Sequence, residues 1–220
     1  NNTGDLTITG NGSVICNYTL AGSTGYAVNT IVNSGKLTID GATIENKSTA
    51  SAQIGYAIDN NSTSYDAILV VKAGEIKASG SVYYDGIRQF ANSLTKENSV
   101  TIEGGKVSSI WVQNPSDGAE KNTKDVRASL SVTGGEVEAI YLEYSEEFDA
   151  AISGGNIGTV AHYDVVDEKV LTGFITGGII DDVATEAMIS SSAPEKMGLS
   201  MISPSSVVEA GKPSIRAISA

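Results

Sequence analysis

The sequence predicts an all-β chain coiled as a parallel β-solenoid of about seven turns, on three observations. First, a short phrase recurs seven times: an aliphatic residue, a spacer, Ile or Val, a spacer, a Gly-containing turn, then Ile or Val again. Its second apolar residue falls at Ile8, Ile39, Val71, Ile102, Val132, Ile152 and Ile175, with successive spacings of 31, 32, 31, 30, 20 and 23. Those are lengths for one turn of a coil whose copies bury each other's apolar faces. Second, the apolar residues within each phrase sit two apart and are mostly β-branched, while glycine interrupts constantly; this is strand periodicity and poor helix material. Third, further columns repeat at the same period, so whole coils recur and parallel pairing between turns can hold them in register.

Each coil reads in order. The phrase itself is the first strand, as in Leu37-Thr38-Ile39 and Leu130-Ser131-Val132, and the glycine after it supplies the unusual dihedrals of a corner. Past the corner a second strand resumes at Ile44, Ile76, Val107, Val137, Ile157 and Ile180. In the first half a third segment follows: Gly25-Tyr26-Ala27-Val28, Gly55-Tyr56-Ala57-Ile58 and Tyr84-Asp85-Gly86-Ile87, whose final aliphatics are spaced by 30 and 29 and are expected to stack. In the second half Ile110-Trp111-Val112, Ile140-Tyr141-Leu142, Val160-Ala161-His162 and Val183-Ala184-Thr185 each begin three residues after the corner aliphatic. Lateral loops are expected at 59–65, 90–98 and 114–126, all rich in Asn, Ser, Lys and Asp. After the seventh phrase, residues 182–188 are expected to form a helical turn, N-capped by Asp181 or Asp182, that covers the end of the core. The domain division is therefore a β-helix over 1–190 and an extended cap or tether over 191–220, which holds Pro194, Pro204 and Pro213.

Composition narrows the function. Fourteen Lys and Arg against 26 Asp and Glu give a formal charge of -12, which disfavours nucleic acid as a partner and favours solubility. No apolar run approaches the ~20 residues that span a bilayer, so membrane insertion is not expected. A first residue of Asn1 rather than Met reads as a processed or truncated chain, or part of a longer one. The single cysteine, Cys16, permits no intrachain disulfide and reads as a small buried hydrophobe; the single histidine, His162, permits no multi-histidine metal site and reads as a core residue. No cofactor and no metal are expected.

The repeated Leu-Thr-Ile-x-Gly-Gly-x-Ile and Gly-Tyr-Ala-Ile phrases resemble those of right-handed parallel β-helix proteins of the pectate-lyase-like group. The likeness is to the Gly-Gly-repeat kind found in bacterial surface proteins and phage structural proteins, and it covers roughly residues 5–188. It implies the handedness of the coil and an extracellular setting, on a virion or bacterial cell surface. It implies no activity, because the matching residues are core and corner positions.

Candidate sites lie in the spacer columns. Asp40, Lys72 and Glu103 follow successive markers and are expected to form a ladder about 4.8 Å per step on a solvated face. A polysaccharide lyase or hydrolase would use such a column, but an alternating-charge ladder is the simpler expectation, so no catalytic residue is assigned. Glu143, Glu146, Glu147 and Asp149, with Asp164, Asp167 and Glu168 one turn later, read as solvated loop charge, since the Gly-and-Asp repeat of calcium-binding β-rolls is missing. The spacer column Thr7, Thr38, Val70, Thr101, Ser131, Ala151, Phe174 is too irregular for an ice-binding face.

Trp111 and Tyr141 hold one column on successive turns, between inward-facing Ile110, Val112, Ile140 and Leu142, so both rings are expected outward. Exposed aromatics of this kind hold sugar rings or pack on a partner chain. With Tyr144 they are the expected ligand- or partner-binding residues; Tyr83, Tyr84 and Arg88 are further candidates for the same surface. The sequence thus predicts a non-enzymatic structural and adhesive solenoid that self-associates or contacts neighbouring subunits, or holds a cell-surface glycan. A carbohydrate-active enzyme and a pure self-assembly protein are the two alternatives.

Overall fold

The computed structural model describes residues 1–19, 28–49, 55–62, 64–79, 84–91, 96–113, 128–143, 149–162 and 175–185. The segment 191–220, Tyr83, Tyr144, Glu146, Glu147, Asp164, Asp167, Glu168 and the expected loop at 114–126 lie outside them. The chain is all-β, with no helix among the described residues, and its strands join in one 14-stranded parallel sheet wound into a β-solenoid.

Three sides can be followed from coil to coil. On the first side β1 (Asp5–Thr9), the start of β4 (Lys36–Asn46), the start of β6 (Ala67–Ala78), β8 (Asn98–Ile102), β10 (Ala128–Val132) and β12 (Asp149–Ile152) pair in turn. The markers sit directly on one another: Ile8 on Ile39, Ile39 on Val71, Val71 on Ile102, Ile102 on Val132, Val132 on Ile152, with Ile152 bridging Ile175. The second side is β2 (Ser13–Cys16), the later parts of β4 and β6, then β9 (Lys106–Gln113), β11 (Glu136–Glu143), β13 (Asn156–His162) and β14 (Ile179–Thr185). The third side begins as β3 (Ile31–Asn33), β5 (Gly55–Ser62) and β7 (Tyr84–Ala91).

The shortening of the coil has a specific location. Ile76 on the second side and Ile87 on the third are eleven positions apart, whereas Val107 and Ile110 are three apart. β9 spans both sides in one strand: Val107 stacks on Ile76 while Ile110 stacks on Ile87 and Trp111 on Arg88. Three coils therefore have three separate sides, and from β9 onward the second and third run together. The inward residues make one apolar core, including Leu37, Ile39, Ile44, Ile58, Leu69, Ile76, Ile87, Ile102, Ile110, Val132 and Ile140. Burying each such side chain stabilises by roughly 1.5–3 kcal/mol relative to leaving it in water.

Glycine closes the corners for two separate reasons. In the Gly134-Gly135 pair the second residue has φ near 84°, a region that side chains disfavour. The first has no such dihedral, but a Cβ there would lie 2.4 Å from the Glu103 carbonyl oxygen of the coil beneath. One glycine satisfies the turn and the other the spacing between coils.

A ladder of buried amides lines the corner between the third side and the next coil. Asn2 donates to Asn33 Oδ1 at 2.8 Å, Asn33 donates to Asn60 Oδ1 at 2.7 Å, and Asn60 donates to Gln89 Oε1. Asn33, Asn60 and Gln89 are fully buried. The asparagines also satisfy backbone: Asn2 Nδ2 donates to the Lys36 carbonyl, Asn33 Nδ2 to that of Ile68, and Asn60 Nδ2 to those of Ala67 and Ser99 at 2.9 and 3.0 Å. Most buried polar groups in folded proteins are bonded in this way, though Gln89 Nε2 at the end of the ladder has no hydrogen-bond partner.

Five expectations are corrected. Val28 does not stack on Ile58; Ile31 does, with Asn33 on Asn60, because the amide ladder fixes a register that the Gly-Tyr-Ala phrase does not. Residues 59–62, 90–91 and 98, expected as loop, are strand, held by the pairing of β5 with β7 and, for Asn98, of β8 with β6 and β10. Asp182 to Thr185, expected as a helical turn, continue β14: Val183 stacks on Val160, and the β13 edge supplies the backbone hydrogen bonds that a helix would have had to make alone. Cys16 is only half-buried, its Sγ 3.5 Å from Ser48 Oγ, because among the described residues β1 and β2 pair on one edge alone, with β4. For the same reason Leu6, Val14 and Ile15 are exposed. Finally, Asp40 pairs with Ala73 rather than Lys72, because the register shifts between Ile39 and Thr43, where coil three has Ala73 in the place Gly104 and Gly134 hold later.

Candidate functional site

The corner shift dismantles the column of Asp40, Lys72 and Glu103: all three are exposed, and no ion pair among the described residues joins them. The charge ladder that forms lies one corner on, where Glu75 pairs in register with Lys106 and Lys106 Nζ meets Glu136 at 2.6 Å. These side chains are well solvated, so the pair adds little to stability.

The third side carries a different kind of chemistry. Asp59, Arg88, Trp111 and Tyr141 occupy equivalent positions on four successive coils: β5 and β7 pair Asp59 with Arg88, β7 and β9 pair Arg88 with Trp111, and β9 and β11 pair Trp111 with Tyr141. Their inward neighbours Ile58, Asn60, Ile87, Gln89, Ile110, Val112, Ile140 and Leu142 are fully buried, so alternation turns the four away from the core. Trp111 and Tyr141 are half-buried. Tyr144, the third expected site residue, lies outside the described residues, and only the backbones of Tyr84 and His162 are described.

Tyr56 brings the column together. It is buried, and its ring centroid is 6.2 Å from that of Trp111 at a tilt of 57°. The Arg88 guanidinium carbon sits 5.3 Å from the Tyr56 ring centroid and 4.5 Å from that of Phe90, a cation held between two aromatic faces. Arg88 Nε is 3.8 Å from Asp59 Oδ1, beyond hydrogen-bond reach, and neither atom has a hydrogen-bond partner. The other carboxylate oxygen accepts from Asn29 Nδ2 at 3.1 Å. Asp85, in register with Tyr56, accepts from the Ser109 hydroxyl at 2.8 Å.

Burial governs the protonation of these groups. It raises the Asp59 carboxyl above the ordinary carboxylate value, against the opposing pull of Arg88 and Asn29. It likewise raises Asp85, which the Ser109 hydroxyl only partly offsets. The Tyr56 and Tyr141 hydroxyls are also pushed up by burial; for Tyr141 the carboxylates of Asp85 and Glu138 add to it. Both tyrosines thus keep their protons near neutral pH.

Among the described residues no group of three or more His, Cys, Asp or Glu side chains is placed to hold a metal ion. The site offers aromatic faces, a fixed guanidinium, two partly desolvated carboxyls and phenolic donors on one lateral strip. Sequence reading finds Trp111, Tyr141 and Arg88 but misses Tyr56, Asp59, Asp85 and the amide ladder. The signal for the ladder is present: Asn33, Asn60 and Gln89 each follow Ile31, Ile58 and Ile87 by two residues. The fold and site define a parallel β-solenoid with a polar-aromatic lateral strip. No protein-family model, curated protein or solved structure matches the chain.

Proposed function

We propose that this chain is a non-enzymatic structural and adhesive β-solenoid, displayed on a phage virion or a bacterial cell surface. Its third side faces a glycan or a neighbouring subunit. One observation carries the reading: Trp111 and Tyr141 stack in register outside the core, backed by Tyr56 and Arg88, on a scaffold whose coils hold them rigidly. Rigid aromatics with polar groups between them are the usual means of binding a sugar face or a partner surface. The Gly-Gly repeat supports kinship with right-handed parallel β-helix proteins of surfaces and virions. The exposed Leu6, Val14 and Ile15 support contact with a neighbouring subunit.

The test is a glycan array together with light scattering on the whole chain and on Trp111→Ala. Binding that is lost in the variant, with far-UV circular dichroism unchanged, supports glycan display. A change of oligomeric state with no glycan bound by either protein supports assembly alone.

One observation favours a second reading, a carbohydrate-active enzyme: Asp59 and Asp85 are two desolvated carboxyls on neighbouring coils, and burial raises both, as a general acid requires. Release of reducing or unsaturated ends from polysaccharides, abolished in Asp59→Asn and Asp85→Asn, would establish it over simple display.

A further inference from the structure

We infer that the corner where the amide ladder ends is a built binding site for one buried water molecule, held by Gln89 and Asn98. The inference stands apart from what the lateral strip binds. Up to that corner the ladder is balanced. Asn2 Nδ2 has two acceptors, Asn33 Oδ1 and the Lys36 carbonyl, and Asn33 Nδ2 has two, Asn60 Oδ1 and the Ile68 carbonyl. An amide nitrogen carries two hydrogens, so supply meets demand. Asn60 Nδ2 breaks the pattern: it lies within hydrogen-bond distance of three acceptors, Gln89 Oε1 and the carbonyls of Ala67 and Ser99, and can serve two. Three polar side-chain atoms beside it have no partner: Gln89 Nε2, Asn98 Nδ2 and Asn98 Oδ1. Both side chains are shut off from bulk solvent, Gln89 at 0% and Asn98 at 1% exposure.

The register gathers these groups at one corner. Asn98 stacks on Ala67 and precedes Ser99, the two residues whose carbonyls Asn60 reaches, and the same Asn60 nitrogen reaches Gln89. Reorienting an amide does not remove the shortage. Asn60 Oδ1 accepts from Asn33, which fixes Asn60, and turning Gln89 over would set its NH2 against that of Asn60. Neighbouring coils leave room: Gln89 stacks on the shorter Val112, and Asn98 lies between Ala67 and Ala128. A water has two lone pairs for Gln89 Nε2 and Asn98 Nδ2, and two hydrogens for Asn98 Oδ1 and the acceptor that Asn60 leaves short. Buried waters typically make about three such bonds. An ion fits less well, since a cation repels the two NH2 groups and an anion gives no hydrogen to the acceptors. Gln89 lies between Arg88 and Phe90 in β7, so this water also anchors the strand that carries Arg88.

The test is a high-resolution crystal structure of the whole chain, together with water-to-amide cross-relaxation measured by NMR. The expected result is an ordered water within about 3.2 Å of Gln89 Nε2 and of at least one Asn98 side-chain atom, and a cross-peak between water and the Gln89 NH2 protons. Gln89 Nε2 bonded directly to Asn98 Oδ1 or to another protein group, with no water at the corner, overturns the inference. Thermal unfolding gives an independent reading. Asn98→Leu displaces the water and leaves Gln89 Nε2 in an apolar corner, so the midpoint should fall by several degrees. Adding Gln89→Leu removes the remaining unpaired NH2 group and should recover part of that loss. An Asn98→Leu midpoint at or above the parent's means that the corner is dry, which also overturns the inference. If Asn98→Leu fails to fold, the parent's density and cross-peak decide.

Discussion

Replacing Gly134 by alanine tests how the coils are held apart. The added Cβ would lie 2.4 Å from the Glu103 carbonyl oxygen and 3.3 Å from its carbon, backbone atoms that cannot rotate away. Ordinary contact begins at 3.4 Å, so the two coils must part by about 1 Å at this corner (3.4 less 2.4). The corner is clamped by Thr133 N to the Ile102 carbonyl at 2.9 Å and Glu136 N to the Gly105 carbonyl at 2.8 Å. Parting by 1 Å stretches both beyond useful length, at about 1 kcal/mol net each, and residual overpacking adds roughly 1–3 kcal/mol. The expected loss is about 3–5 kcal/mol, read from the urea midpoint and slope by circular dichroism. Ser131→Ala, a partly exposed spacer on the same coil, should stay within about 0.5 kcal/mol. Coil three accommodates Ala73 only by shifting register against Asp40. If Gly134→Ala unfolds together with Ser131→Ala, within experimental error, the corner contact does not set the spacing.

Asn60→Ala should cost about 3 kcal/mol or more, since it leaves Asn33 Nδ2, Gln89 Oε1 and the Ala67 and Ser99 carbonyls without their bonds in a site closed to solvent; thermal unfolding with a midpoint near the parent's would contradict it. Asp85 gives a pH signature. Its folded pKa is raised above the reference 3.8, so its contribution to stability is fully present below that value and is lost as pH rises through the folded pKa. The stability of Asp85→Asn relative to the parent should therefore increase from pH 3 upward and then level off, measured by denaturation at each pH; a constant difference would contradict it. Glu45 behaves oppositely. Burial alone would raise it, but Ser79 Oγ at 2.7 Å and Lys47 at 3.3 Å outweigh that and lower it, so Glu45→Gln should lose stability above about pH 4.5, a loss that fades as pH falls through the folded pKa.

The core and corners were legible in the sequence because each element repeats its own evidence. Leu37 and Ile39, two apart and followed by Gly41, say the same thing as Leu130 and Val132 followed by Gly134 and Gly135. The first coil's third side was misread because Gly25-Tyr26-Ala27-Val28 matches Gly55-Tyr56-Ala57-Ile58 more closely by letter than Ile31-Val32-Asn33 matches Ile58-Asp59-Asn60. Hydrogen bonding between stacked amides decided the register, and that energy has no counterpart in hydrophobic periodicity. The lateral site was only half legible for a related reason. Asp59, Arg88 and Trp111 are 29 and 23 residues apart, unequal steps that align only once the excursion between the second and third sides disappears in β9. Tyr56 and Asp85 join them through side-chain direction, which spacing alone does not specify.

The most direct test of the account is the crystal structure of the whole chain soaked with an oligosaccharide that quenches Trp111 fluorescence. The account predicts a sugar ring against Trp111 or Tyr141. Sugar density elsewhere on the solenoid, with no ring on the aromatic pair, would contradict it.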